Sequence, residues 1–442
     1  MALEVPVRST LALEAPDLRG TFAGNLKAPI HRWFRYPCGF SYSLVEECLD
    51  RFQVSRGKLV LDPFVGCGTV LVSAKELGID SIGVEAHPFV SWVAKTKTYW
   101  EFDLVDLKLR VKNLLEKLEP KAVDARTNES LPPGKPLLLY KMFTVTTLNE
   151  LLSITDQIKR HTKGPFRDFC TLALATVLRK AAKSGGSFPY VLPSKERHNK
   201  VKAFDLFSKK VWIMYQDIAK VVDEFPILGN VSINNGQNTA DARALSFVTD
   251  GSVDFAFTSP PYLNNVDYAD ATRLEMYFFG LANSWSDLTH KVRSRLIVSA
   301  AHQASELRVS ESIQPRTEIN SEVRDRLLDI KARLHDVKAT KGGKKDYDIM
   351  CISYFNDMLS SLKEVKRVLK PNGYYLLVLG DSAPYGVHIP TDLYLAKMAR
   401  GIGFNVAEIE VLRERGGKWR AIIESGRRHG VALRESLVVL RK

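Results

Sequence analysis

The sequence lacks the features that mark membrane and secreted proteins. No run in its 442 residues is long and apolar enough to span a bilayer, although apolar residues make up 45% of the chain. The first twenty residues show no basic segment followed by an apolar core, so no signal peptide is predicted. The five cysteines show neither a CxxC pair nor a metal-ligand spacing. We expect a cytoplasmic protein with reduced thiols and no membrane contact.

Acidic residues are outnumbered, with 50 Asp and Glu against 63 Lys and Arg, which gives a formal net charge of +13. Two segments hold the excess. Residues 104–230 carry 22 basic and 13 acidic side chains, and residues 291–346 carry 13 and 8. A surface that binds a polyanion needs such an asymmetry. Lysine-rich insertions that only keep a protein soluble remain the alternative.

Apolar patterning predicts an α/β core interrupted by insertions. A strand at 59–62, a helix at 70–77 and a strand at 81–85 form a βαβ unit, which predicts a parallel sheet. Strand patterns resume at 231–257, and residues 270–285 are predicted to form a helix. A helix, a PNG turn and a strand restore the sheet after residue 347, and the chain ends in an antiparallel strand pair.

The predicted organisation has six parts. They are an N-terminal extension (1–30), a nucleotide-binding part of the core (31–103), a mainly helical insertion (104–230), a second part of the core that contains a proline-rich motif (231–290), a basic insertion or loop (291–346) and a C-terminal part of the core (347–442).

The stretch LDPFVGCGT, residues 61–69, has the pattern of a ligand-binding turn. Asp62 ends a strand, Gly66 and Gly68 let the backbone approach a ligand, and Thr69 opens a helix whose N–H groups favour a negative group. Glu85 ends the next strand, where a carboxylate accepts hydrogen bonds from ribose hydroxyls. The pattern predicts a nucleoside-bearing cofactor and leaves a dinucleotide and S-adenosylmethionine both open.

A second motif, TSPPY at residues 258–262, ends an apolar strand on two adjacent prolines, which lock the backbone. Ligands of open α/β sheets bind outside the carboxyl ends of the strands. Four polar residues lie at or just beyond such ends and are expected to converge on one crevice: Asp62, Glu85, Asp241 and Ser259.

The combination of DPFVGCGT and TSPPY resembles the DNA amino-methyltransferases, which methylate the exocyclic nitrogen of cytosine or adenine. The TSPPY form is most similar to the N4-cytosine branch, since the N6-adenine branch more often has Asp at the position of Ser259. The resemblance covers residues 30–100, 235–285 and 350–440 and leaves out the basic segments.

The resemblance implies a Rossmann-like methyltransferase sheet, mostly parallel with an antiparallel C-terminal pair and helical basic insertions. It also implies S-adenosylmethionine as the cofactor and double-stranded DNA as the substrate. The setting would be restriction-modification or host defence, with a cognate restriction endonuclease or other defence subunits open as partners.

The family's cofactor contacts map onto positions of this sequence. HRWFRYPCGFS, residues 31–41, stands where the family has a segment that packs on the methionine end of the cofactor. Plain packing is an equal reading for Tyr36 and Pro37, and Asp241 either contacts the adenine or caps a helix. Cys67 replaces a common serine, which we expect the turn to tolerate. The predicted cofactor-binding residues are Tyr36, Pro37, Asp62, Phe64, Gly66, Gly68, Thr69, Glu85 and Asp241.

The exocyclic amine of cytosine is a poor nucleophile because its lone pair is delocalised into the ring. The Ser259 hydroxyl and the Pro260 carbonyl are predicted to accept its two N–H groups, and the prolines, Pro261 included, preorganise these acceptors. Tyr262 is predicted to stack on a base flipped out of the duplex. This chemistry requires no metal and no covalent enzyme intermediate.

Several alternatives stay open at this stage. An RNA base could be the substrate, the fold could serve a catalytically idle nucleic-acid-binding subunit, or the glycine-rich turn could bind a nicotinamide cofactor. A nucleophilic role for Cys38 is rejected because the residue precedes the glycine-rich turn. Target recognition is assigned to the insertions, including PSKERHNKVK (193–202) and the tract 294–316.

Overall fold

A computed structural model describes most of the chain. The described residues are 7–9, 21–36, 39–183, 189–191, 201–234, 236, 240–306, 309–340, 345–422 and 430–442. The loop 193–202 therefore falls almost wholly outside the described residues, as do Pro37 and Cys38.

Within the described ranges, eight strands form one sheet in the order β1-β7-β8-β6-β5-β2-β3-β4. All neighbours are parallel except β8, which pairs antiparallel with both β6 and β7. The strands are β1 (Val7–Ser9), β2 (Leu59–Asp62), β3 (Asp80–Val84), β4 (Val231–Asn234), β5 (Val253–Thr258), β6 (Leu369–Gly380), β7 (Asn405–Ile422) and β8 (Gly430–Arg441).

Fifteen α-helices lie among the described residues. They are α1 (Tyr42–Arg51), α2 (Thr69–Glu76), α3 (Pro88–Thr98), α4 (Leu104–Thr127), α5 (Leu137–Met142), α6 (Val145–His161), α7 (Gly164–Ala181), α8 (Ala203–Glu224), α9 (Tyr268–Ala271), α10 (Arg273–Phe278), α11 (Trp285–Lys291), α12 (Ala301–Glu306), α13 (Ser321–Thr340), α14 (Tyr347–Val368) and α15 (Thr391–Gly401).

The sheet is covered by helices on both faces, as a parallel sheet buried on both sides requires. On one face, α1 and α2 bury side chains of β2, β5 and β6 such as Val60, Phe257 and Leu376. On the other, α13, α14 and α15 cover Leu61 and Tyr375. The fold-class prediction is confirmed: the structure is a mostly parallel α/β sheet with an antiparallel C-terminal pair and helical insertions.

Helices α4 to α8 share a core of their own that continues into α3 and into the segment before α1. Asp217 of α8, 2% exposed, fixes that segment. Its carboxylate accepts from Arg32 Nε at 2.9 Å, from Trp33 Nε1 at 3.0 Å and from the backbone N–H of Ile30 at 3.3 Å. The helical insertion thereby determines where residues 30–36 enter the core.

Two local predictions from the sequence are wrong. The PNG turn at 371–373 does not precede a strand but lies inside β6, where Asn372 has φ +64° and the β5–β6 register shifts between Val253 and Phe255. The helix predicted over 270–285 is divided into α9 and α10, and α11 begins only at Trp285. Among the described residues, no helix is long and apolar enough to cross a membrane.

Candidate active site

Three adjacent parallel strands, β5, β2 and β3, bring their carboxyl ends to one edge of the sheet. Ser259 follows β5, Asp62 ends β2, and Glu85 follows β3. A pocket opens at this edge. Its lining is Tyr36, Gly39, Phe40, Pro63, Phe64, Val65, Gly66, Cys67, Thr69, Val84, Glu85, Ala86, Asp241, Ala242, Ser259, Pro261, Tyr268, Arg295, Leu296 and Ile297.

The glycine-rich turn between β2 and α2 is shaped by two positive φ angles, +53° at Gly66 and +88° at Gly68. Gly66 lies in the pocket wall, and its N–H donates to Glu85 Oε2 at 2.8 Å. Gly68 is the N-cap of α2 and faces α3, where an added Cβ would lie 3.4 Å from the Cβ of Ala94. Gly66 thus serves the ligand side of the turn, and Gly68 the packing side.

Asp62 joins the glycine-rich turn to the strand that carries Ser259. Its Oδ1 atom accepts from the N–H of Phe64 at 2.9 Å and from the hydroxyl of Thr258 at 2.6 Å. The residue is 1% exposed and does not line the pocket. Its position therefore fits a residue that holds the two motifs in register rather than a direct ligand contact.

Burial raises the pKa of Asp62 and of Glu85 to about 7 each, although hydrogen bonds from backbone and side-chain donors oppose the shift. Glu85 accepts through both oxygens, from Gly66 and from the N–H of His87, each at 2.8 Å. Each carboxylate oxygen has further lone pairs. Since Glu85 lines the pocket, those lone pairs can accept hydrogen bonds from hydroxyl groups of a ligand.

Ser259 has its hydroxyl buried, and the Oγ atom has no hydrogen-bond partner among the residues that the structure describes. Such an unsatisfied buried oxygen is unusual in a folded protein and calls for an explanation. Ser259 and Pro261 both line the pocket. A ligand amine in the pocket would supply the missing partner.

Tyr262 departs from its predicted position. It is 4% exposed, and it is not part of the pocket lining. A Cβ added to Gly380, the last residue of β6, would lie 2.9 Å from Cδ2 of the Tyr262 ring. The ring is therefore packed against the neighbouring strand and presents no open face to the pocket.

Asp241 lies in the pocket wall at a turn, where no helix begins. Its carboxylate accepts from the Arg243 side chain at 2.9 Å and from the Arg243 N–H at 2.8 Å. Arg243 also contacts Asp357 of α14 at 3.1 Å. The turn is thereby fixed to α14, on the face of the sheet opposite α1.

The other predicted residues divide into three groups. Tyr36, Phe64 and Thr69 line the pocket. Gly68 and Pro260 lie next to the lining without belonging to it, and Pro37 lies outside the described part of the chain.

Several lining residues could not be selected from the sequence. Tyr268 follows the TSPPY motif by six residues, and its nearness to the motif was the available signal. Arg295, Leu296 and Ile297 belong to the segment 291–346, which sequence alone assigned to a basic insertion. No local pattern marks these three residues, because their contact with the pocket comes from the tertiary fold.

The residues present fit S-adenosylmethionine. The carboxylate of Glu85 suits a ribose diol, the side chains of Phe64, Leu296 and Ile297 offer apolar surface to a purine, and Gly66 allows close backbone approach. The orphaned Ser259 oxygen lies in the same lining as these groups. A nucleoside with a reactive side group can therefore reach from Glu85 towards Ser259.

Several known proteins that resemble this chain are methyltransferases. Residues 17–97 match a family model, N6_N4_Mtase, described as DNA methylase. The chain is 25% identical to the type II methyltransferase M.BsoBI of Geobacillus stearothermophilus, over 96% of this chain and 87% of that protein. It is 25% identical to M.AvaI of Nostoc sp. (96% and 88%) and 20% identical to M.MvaI of Kocuria varians (85% and 82%).

Proposed function

We propose that the chain is an S-adenosylmethionine-dependent DNA amino-methyltransferase that methylates the N4 amine of a cytosine within a specific duplex sequence. The single observation that carries this proposal is the buried Ser259 oxygen, which has no hydrogen-bond partner among the described residues and lies in a pocket that also holds Glu85 and the glycine-rich turn. The relatives named as type II methyltransferases support a role in restriction-modification or host defence.

The preference for cytosine rests on Ser259. A serine hydroxyl is neutral and accepts a hydrogen bond without bringing a buried negative charge next to the target base. The resemblance to the N4-cytosine branch depends on this same residue. Adenine N6 remains the competing target, and the product of the reaction distinguishes the two.

When bound, S-adenosylmethionine would supply a methyl group from a positively charged sulfur: the nitrogen–carbon bond forms as the carbon–sulfur bond breaks, S-adenosylhomocysteine leaves, and the methylated amine loses one N–H proton to water. Ser259 Oγ accepts a hydrogen bond from one N–H of the amine, and the Pro260 carbonyl accepts a hydrogen bond from the other. The lone pair of the amine nitrogen then leaves conjugation with the ring of the base. The adjacent prolines keep these acceptors in place before the amine arrives, which lowers the cost of reorganisation in the transition state. Glu85 orients the cofactor through its ribose hydroxyls.

Access to the amine requires that the base leave the duplex. The insertion of α4 to α8 packs against residues 30–36, and so it adjoins the pocket through Tyr36. The segment 291–346 reaches the pocket through Arg295 to Ile297. Both basic segments are thus near enough to hold DNA while one nucleotide occupies the pocket, which supports their role in target recognition.

The test is methyl transfer from labelled S-adenosylmethionine to unmethylated duplex DNA and, separately, to RNA, followed by mass analysis of the nucleosides. We expect label in DNA alone, recovered as N4-methylcytosine. Recovery as N6-methyladenine would contradict the cytosine assignment, and label in RNA alone would contradict the DNA assignment. A wild-type protein that binds S-adenosylmethionine but labels neither would support the idle-subunit alternative.

A further inference from the structure

The pocket lining that contains Ser259 includes Tyr268 and does not include Tyr262. Tyr262 is packed under Gly380, whereas Tyr268 lies in the lining together with Ser259 and Pro261. No role was assigned to Tyr268 from the sequence. Its position raises the question of which part of the reacting complex its ring contacts.

A buried ion pair fixes Tyr268 in place. Asp267 caps α9 by accepting from the N–H groups of Ala269 at 3.1 Å and Asp270 at 3.3 Å. The other oxygen of Asp267 accepts from Arg293 Nη2 at 2.8 Å and Nε at 3.0 Å. Arg293 is 1% exposed and lies over the Trp285 ring at 4.1 Å. Tyr268, the first residue of α9, is therefore held on a rigid support.

Tyr36 stands against Tyr268 across the pocket wall. The two ring centroids are 5.9 Å apart with an interplanar angle of 33°. Tyr36 is 8% exposed, and a Cβ placed on Gly66 would lie 3.5 Å from two atoms of its ring. The two rings thus extend from the glycine-rich turn, where the cofactor is proposed to bind, to α9, the helix that follows Ser259.

The reacting sulfur must lie between these two landmarks, because the methyl group passes from the cofactor at the turn to an amine at Ser259. A cation within about 6 Å of an aromatic centroid is attracted by the negative face of the ring. We propose that Tyr36 and Tyr268 form an aromatic wall beside the sulfonium, which favours the charged methyl donor over its neutral demethylated product. This inference rests on the proposed function and adds a residue pair that distinguishes substrate from product.

The alternative occupant is the flipped base, sandwiched between the rings. A base stacked between two rings needs about twice the 3.4 Å stacking distance of DNA, or about 6.8 Å. The centroid separation of 5.9 Å is too small for such an insertion. The geometry therefore favours a small charged group beside the pair over a planar group within it.

The loss of positive charge during the reaction affects release of the product. After transfer, the positive charge on sulfur is gone, and S-adenosylhomocysteine loses the attraction to the rings. The product would therefore be held less tightly than the methyl donor. A leucine in place of either tyrosine keeps apolar bulk but removes the ring face, so it isolates this electrostatic contribution.

The test is calorimetric binding of S-adenosylmethionine and of S-adenosylhomocysteine to the full chain, without DNA. We expect Tyr268→Leu to weaken binding of S-adenosylmethionine by about 3- to 10-fold more than binding of S-adenosylhomocysteine. Tyr36→Leu should act in the same direction, and Tyr268→Phe should keep the wild-type ratio. Tyr215→Leu, which alters a half-buried ring on α8 beside Trp212, is the control and should change neither constant.

Equal weakening of both ligands by Tyr268→Leu would show that the ring only packs, and this result would overturn the inference. Unchanged dissociation constants for both ligands would also overturn the inference, because the ring would then contact neither the methyl donor nor its product. A wild-type chain that binds neither ligand would overturn the proposed function itself, and the inference with it.

Discussion

Ser259 and Tyr262 stand three positions apart in one motif, yet the structure gives them different surroundings. Ser259 lines the pocket, and its hydroxyl oxygen has no hydrogen-bond partner in the described part of the chain. Tyr262 lies against β6 with 4% of its surface exposed. Sequence could predict that the strand ends in a rigid acceptor, because the two prolines are local information. It could not predict the burial of Tyr262, because that depends on Gly380 in a distant part of the chain.

At the same scale, Asp62 makes stability depend on pH. Its folded-state pKa is raised from 3.8 to about 7, so the folded protein retains a proton that the unfolded chain has lost. Stability contributed by this group is therefore highest below pH 4 and falls as the pH rises towards 7. Asp62→Asn keeps an oxygen for Thr258 and Phe64 and removes the titration.

We expect Asp62→Asn to match the wild type near pH 4 and to be more stable at pH 8 by on the order of 1–3 kcal/mol. Denaturant unfolding of the ligand-free chain at several pH values measures the difference. Ser55→Ala, at an exposed turn before β2, is the control and should follow the wild-type curve. A difference between Asp62→Asn and wild type that stays constant from pH 4 to pH 8 would contradict the account.

At the scale of elements, the structure depends on how strands and insertions contact each other. The βαβ unit of β2, α2 and β3 could be predicted from sequence because apolar periodicity, glycine spacing and strand length are all local. The entry of Tyr36 into the pocket could not, since Asp217 on α8 positions the preceding residues through Arg32 and Trp33. Nor could the contact of Arg295, Leu296 and Ile297 with the pocket, since no local sequence pattern marks these residues.

The contact between β5 and β6 gives a prediction at this scale. A Cβ on Gly380 would lie 2.9 Å from the Tyr262 ring and 2.8 Å from Arg415 Nη2. Gly380→Ala should therefore destabilise the protein by about 1–3 kcal/mol through overpacking and shift the TSPPY motif. Thermal unfolding measures the first effect, and the rate of methyl transfer measures the second.

The matched control is Gly401→Ala at the end of α15, where an added Cβ has its nearest neighbour at 3.6 Å. We expect this control to keep or slightly increase stability, because alanine reduces the entropy of the unfolded chain. If Gly380→Ala proves as stable and as active as Gly401→Ala, then Tyr262 is not held by β6 in the way described.

At the scale of the whole molecule, the positive charge is concentrated in two segments that are proposed to bind DNA. Residues 104–230 and 291–346 carry the positive excess. The first segment packs against residues 30–36, and the second lines the pocket through Arg295, Leu296 and Ile297. Contacts between cationic side chains and phosphates release counterions, so DNA affinity should fall steeply with salt. The loss should be at least about 100-fold between 50 and 200 mM salt.

Fluorescence anisotropy of a labelled duplex measures this dependence. Binding of S-adenosylhomocysteine in the same buffers is the internal control and should change by less than about twofold, because its net charge is near zero. A DNA affinity that is flat over this range would show that the basic segments do not meet the phosphate backbone.

The central claim is that Ser259 Oγ accepts a hydrogen bond from the amine that is methylated. The most direct measurement compares methyl transfer to duplex DNA with calorimetric cofactor binding for wild type, Ser259→Ala and the control Ser55→Ala. The account predicts that Ser259→Ala lowers the transfer rate by about 100-fold while the affinity for S-adenosylmethionine stays within about twofold of wild type. A Ser259→Ala enzyme that methylates its target at the wild-type rate would contradict it.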